Sequence, residues 1–159
     1  MTQTDEKSSV IRAQLIPLSN MTIVLPNTCI AEVISLSELN PVKKTPRWFL
    51  GMMNWRGVRI PVISFEAANN IASNMPMHNV RATILNGISG NDKLPFYGMV
   101  SQGIPRLTRL DKSTISVIET PEQKLLLASE QAQLADITVV IPDLNKVEAL
   151  LATEIRKIK

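Results

Sequence analysis

Gly51-Met52-Met53-Asn54-Trp55-Arg56-Gly57 sets Arg56 between two apolar runs, Leu50–Met53 and Ile60–Ile63. The chemistry open to such an arginine is recognition, a charge contact with a partner, rather than nucleophilic or base catalysis. Glu32, in Ile30-Ala31-Glu32-Val33, shares the strand parity of Ile30 and so the same expected face. It reads either as a solvated residue on an outward strand face or as an acid on a binding face. The groups that catalysis needs are sparse. His78 is the one histidine and sits in a polar stretch with no base–nucleophile pair around it, so it reads as an exposed loop residue. Cys29 and His78 together fall short of the roughly four ligands of a zinc site. No phosphate-cradling glycine loop appears. These absences predict no catalytic residue, no metal and no cofactor, and a protein that binds rather than catalyses.

The elements that must position Arg56 follow from the pattern. Leu50–Met53 and Ile60–Ile63 are apolar runs on either side of a tight turn at Arg56-Gly57, where Gly57 can take the positive φ a hairpin turn requires. Arg56 is thereby expected at the exposed end of a β-ribbon, with Trp55 and the Met52-Met53 pair packing the core. Upstream, Ile11–Leu18 and Met21–Leu25 read as a hairpin around Ser19-Asn20, and Pro26 opens a one-turn helix before a strand within Thr28–Leu36. Downstream, strands are expected at Val80–Leu85, Leu94–Val100, Ile104–Leu110 and Ile137–Ile141, with Pro105 at an edge or bend. Residues 122–135 fit helix or strand. Asp143 is the expected N-cap of a terminal helix whose stripe is Leu144, Val147, Leu150, Leu151, Ile155 and Ile158. Residues 67–79 read as a linker and residues 1–9 as a loose polar tail. About nine short strands and one long helix predict an all-β chain with a C-terminal helix.

Composition bounds the function classes. Of 159 residues, 45% are hydrophobic and 19% charged, which favours a folded core over disorder. Aromatics make up only 4%, so aliphatic side chains and seven methionines must fill that core. The net charge of +3 admits nucleic-acid binding, and Lys43, Lys44, Arg47, Arg56 and Arg59 cluster mildly, but only Trp48 and Trp55 lie near them as stacking partners. A small nucleic-acid-binding β-barrel is therefore the alternative reading. One cysteine makes no internal disulfide, and no apolar run reaches the ~18 residues of a membrane-spanning helix. A cytoplasmic protein is expected, with no membrane insertion.

Residues 1–66 resemble the CheW-like adaptor family of bacterial chemosensory systems. The family opens with a hairpin and an apolar–Glu–Val element, matched by Ile30-Ala31-Glu32-Val33. A proline-marked loop follows, matched by Thr45-Pro46. Then come Gly-x-x-Asn-x-Arg-Gly, matched by Gly51 to Gly57, and an apolar–Pro–apolar strand, matched by Ile60-Pro61-Val62-Ile63. In the second half, Phe96-Tyr97-Gly98-Met99-Val100 is similar to the family's strand with a Gly-apolar-apolar run. Gln102 stands near the place of a customary acid, and residues 111–136 lack a customary glycine. These departures resemble a divergent or accessory adaptor, such as those of type IV pilus (twitching) systems.

The resemblance implies a single domain over 10–159 built as two five-stranded SH3-like β-barrels around a shared core. Their subdomains would be about 10–66 and 80–142, followed by a helix over 143–157. It implies a non-enzymatic adaptor, monomeric, without nucleic acid, that couples the cytoplasmic tip of a methyl-accepting chemoreceptor to the regulatory domain of a CheA-type histidine kinase. By residue matching, Arg56 falls on the receptor-contact arginine and Ile30 and Glu32 on the binding-groove element. Asn54 and Gly57 would shape the turn, and Met99 completes the partner-binding set.

Overall fold

The structure, a computed structural model, describes residues 10–36, 38–71 and 79–158. The expected tail over 1–9, His78 and the middle of the expected linker lie outside these residues.

Eleven strands form two sheets among the described residues. They are β1 (Ile11–Pro17), β2 (Thr22–Pro26), β3 (Ile30–Ser35), β4 (Phe49–Trp55), β5 (Val58–Ile63), β6 (Val80–Asn86), β7 (Phe96–Gln102), β8 (Arg106–Leu110), β9 (Ile115–Val117), β10 (Ala128–Leu134) and β11 (Ile137–Pro142). The first sheet has six strands in the order β8-β1-β2-β11-β10-β9. The second has five in the order β3-β6-β7-β5-β4. The sheets are therefore not the sequence stretches 10–66 and 80–142, because each draws strands from both. Four pairings join the two stretches: β1 with β8 and β3 with β6, both antiparallel, and β2 with β11 and β5 with β7, both parallel. The first sheet also has one strand more than the five expected.

Local sequence accounts for most of these elements. Pro26 ends β2 and precedes a one-turn 3-10 helix, Asn27–Cys29. Pro61 sits inside β5 without breaking a ladder, because pairing with β7 begins only at Val62. Pro105 lies just before β8, an edge strand. Periodicity missed β9, only three residues long, and left β10 open between helix and strand, because polar residues outnumber apolar ones there and a bulge between Ala128 and Glu130 blurs the alternation.

The expected linker at 67–79 is structured where it is described. A short helix, α1 (Phe65–Ala68), is capped by Ser64, whose hydroxyl accepts from Ala67 N at 3.1 Å. Asn69 is buried. Its amide donates to Phe65 O at 2.8 Å and its side-chain oxygen accepts from Leu127 N at 2.8 Å. A polar residue taken for a loop signal is thus an interior hydrogen-bonding group.

Three apolar clusters fill the protein. One lines the inner face of the first sheet around Leu15, Val24, Leu134 and Val139. Another fills the second sheet around Met53, Trp55, Ile60 and Ile84. The largest lies between the sheets and takes in Ile16, Leu25, Phe65, Tyr97, Met99 and the terminal helix α2 (Leu144–Lys157). Helix α2 starts where Asp143 accepts from Lys146 N at 3.2 Å, and Leu144, Val147 and Leu151 are buried in the shared core. The stripe expected on this helix therefore packs inward. Leu150 and Ile155 are only half-buried against it.

Candidate functional site

The β4–β5 hairpin turns in two residues, with Trp55 paired to Val58. Arg56 has φ 49° and Gly57 φ 79°. Positive φ at both central positions is the type I′ turn whose twist suits a hairpin. Glycine adopts it freely, but an arginine there costs about 1–2 kcal/mol, and asparagine is the residue better suited to that position. The strain is thus at Arg56 and not at the glycine.

Around Arg56 the side chains form a small polar cluster on an apolar base. Its Nη2 lies 3.2 Å from Glu32 Oε1, with the two side chains 69% and 36% exposed. Trp55 Nε1 donates to the same carboxylate oxygen at 2.9 Å. The guanidinium carbon stands 5.1 Å from the centre of the Trp55 ring, within cation–π range. Trp55 itself is buried and packs edge-on against Phe96, with ring centroids 4.9 Å apart. Glu32 and Trp55 thereby fix where the guanidinium points, and the rest of its donor fork faces solvent. An exposed pair of this kind contributes at most about 1 kcal/mol, so its value is positional.

The same contacts help join the edges of the second sheet. β3 and β4 are its outermost strands. Asn40, on the segment after β3, exchanges backbone hydrogen bonds with Met52 of β4 at 2.8 and 2.9 Å. Gly51 permits this approach: a Cβ there would lie 2.7 Å from Asn40 O.

The expected site residues divide. Glu32, Arg56 and Gly57 come together. Ile30 does not share the face of Glu32, because a bulge between them reverses the alternation. Ile30 packs toward the inter-sheet core, whereas Glu32 faces the Trp55 side. Asn54 is exposed in β4 opposite Arg59. It makes no side-chain hydrogen bond among the described residues, so the turn is shaped by Arg56 and Gly57 rather than by Asn54. Met99 is 1% exposed in the inter-sheet core. It is a packing residue and not a contact residue, since strand alternation directs it between the sheets.

Two buried carboxylates escaped the sequence reading. Glu66 accepts from Ser19 N at 3.0 Å and Asn20 N at 2.7 Å, and so fixes the β1–β2 turn. Glu148, on α2, accepts from Ile88 N, Ser89 N and Tyr97 Oη at 2.9 to 3.1 Å. Burial, with the carboxylate beside it, pushes the Tyr97 hydroxyl far above its usual range. Burial and the same negative charge also push the Cys29 thiol up, which holds it in the unreactive form. The signal for Glu148 was available: it lies four residues after Leu144 and three before Leu151, inside the apolar stripe. Among the described residues no three His, Cys, Asp or Glu side chains gather as a metal site. No helix of the described residues is long and apolar enough to cross a membrane.

Comparison with known proteins bears on this architecture. No curated protein sequence matches the chain. Among solved structures it is similar to the scaffolding protein TtCheW from Thermoanaerobacter tengcongensis. The two are 19% identical, with 83% of each chain covered and a TM-score of 0.69. At that identity the likeness concerns the fold, two sheets of five and six strands with a C-terminal helix. The family model of the CheW-like domain matches residues 12–150, nearly the whole chain. The chain belongs to the CheW-like domain family, whose members are non-catalytic scaffolds and adaptors.

Proposed function

We propose that this chain is a cytoplasmic chemosensory adaptor. It couples the cytoplasmic tip of a methyl-accepting chemoreceptor to the regulatory domain of a CheA-type histidine kinase. Family membership supports the adaptor role. The observation that carries the assignment of a contact is Arg56. The fold holds an exposed arginine in a left-handed conformation, where asparagine would cost less, and aims it with Glu32 and Trp55. In this reading Arg56 meets an acidic group of the receptor tip. Glu32 and Gly57 orient it, and Ile30 and Asn54 border the same strand ends. The work is geometric: two faces of one rigid double-sheet body hold two partners at a fixed spacing. The departures at Gln102 and over 111–136 favour an accessory adaptor, of the kind that serves type IV pilus (twitching) systems.

The test is titration of the cognate receptor-tip fragment into the wild-type chain and into Arg56→Glu. Wild-type binding with loss in the variant supports the reading, because a charge contact becomes a repulsion. Equal binding by both removes Arg56 from the contact.

A further inference from the structure

The edge of the first sheet carries an arrangement that the fold itself does not call for. Arg12 of β1 and Arg109 of β8 are direct cross-strand partners, and both are exposed. Like charges directly opposite each other in an antiparallel pair destabilise it. Among the described residues the ion pairs are Arg56–Glu32 and Lys157–Glu154, so neither arginine forms an ion pair with a described carboxylate, although Asp136 lines a neighbouring cleft with Arg109. Beside them on the same face, Leu107 is 78% exposed and pairs with Gln14. A cleft of about 520 Å³ opens here, lined by Arg12, Asn27, Leu107, Thr108 and Arg109. Asn27, one of the lining residues, accepts a hydrogen bond of 2.8 Å at Oδ1 from Gln14 Nε2, which ties β1 to the 3-10 helix.

We propose that this β1–β8 face is a docking surface for an acidic protein segment, one that carries carboxylates on either side of an apolar side chain. The two arginines, without an ion pair among the described residues and repelling each other, gain from a carboxylate placed between them. Leu107 supplies the apolar contact next to that charge, and the cleft has room for a large side chain. A nucleic acid or a phospholipid surface would also satisfy arginines. However, a nucleic-acid site is built with stacking aromatics, and this cleft is lined by none. The surface lies on the sheet that does not contain Glu32 and Arg56, and it does not rest on the role given to them.

The test uses the full chain and four fluorescent probes. They are a helical peptide of about 20 residues with Glu flanking a Leu stripe, the same peptide with Lys for Glu, a generic single-stranded RNA, and phosphatidylserine vesicles. The acidic peptide is expected to bind, more weakly as salt rises. Arg12→Glu and Arg109→Glu should each lower its affinity by at least about tenfold. Arg109→Gln should raise the melting temperature, because it removes the cross-strand repulsion, while still weakening the peptide. That paired result separates docking from misfolding. Equal binding of the acidic and basic peptides overturns the proposal, as does acidic-peptide binding that ignores both charge reversals. Arginine-dependent binding of RNA or vesicles without peptide binding also overturns it and makes the face a phosphate-binding surface.

Discussion

Arg56 Nη2 and Glu32 Oε1 stand 3.2 Å apart across the joined edges of the second sheet, one on the β4–β5 turn and the other on β3. The pair does little for stability and much for direction. Arg56→Asn tests that division. The variant gains a residue suited to a type I′ turn and loses an exposed ion pair and a cation–π contact worth about 0.5–1 kcal/mol. Its stability in denaturant melts is expected within about 1 kcal/mol of wild type, with receptor-tip binding lost. A loss well beyond that would show the pair to be structural.

The two glycines near the site differ in what confines them. Gly57 has φ 79° and open space where a methyl group would stand, so Gly57→Ala carries only the left-handed cost, roughly 1–2 kcal/mol. Gly51 has φ 149°, and a Cβ would press on Asn40 O. Gly51→Ala is therefore expected to cost about 3 kcal/mol or more and to speed hydrogen exchange at the Asn40 and Met52 amides. Equal melting of the two variants would contradict this account of the bridge.

On helix α2 the ordering of substitutions follows burial. Leu151 is fully buried and Leu150 only half. Leu151→Ala is expected to cost about 2–5 kcal/mol. Leu150→Ala should cost less, and Asp143→Ala about 1 kcal/mol through loss of the cap. Denaturant midpoints of the three variants check the order, and Leu150→Ala melting lowest would contradict it.

Tyr97 is the chain's one tyrosine, so tyrosinate absorbance reports it alone. Its hydroxyl titrates above the ordinary value of about 10 in the folded state. The folded chain therefore holds a proton that the unfolded chain releases. Stability from this group is complete below pH ~10 and is lost as pH rises above it. Wild type should lose stability above pH ~10 more steeply than Tyr97→Phe, with tyrosinate appearing only as the chain unfolds. Ionisation near pH 10 without unfolding would contradict the Tyr97–Glu148 contact.

The β-hairpins and the capped helix were legible because each rests on local signals: turn residues, prolines, an N-cap and strict apolar spacing. The β4–β5 turn was legible at Arg56-Gly57 for the same reason. The sheet order was not, because parallel pairs such as Val62 with Gly98 leave no local mark. Ile30 and Glu32 looked like neighbours on one face because alternation assumes no bulge, and the bulge sends them to opposite sides. Met99 looked like a contact by resemblance, whereas its burial depends on which sheet covers it. Glu148 was read past because a charged residue inside an apolar stripe looks like an interruption until its three donors are known.

The central claim is that one chain holds two partners at once. The most direct measurement is size-exclusion chromatography of the chain with the cognate receptor-tip fragment and the kinase regulatory domain, alone and together. The account predicts one ternary peak with wild type. With Arg56→Glu it predicts a folded chain that retains the kinase domain and loses the receptor tip. Failure of the wild-type chain to bind either partner, or a ternary peak unchanged by Arg56→Glu, would contradict it.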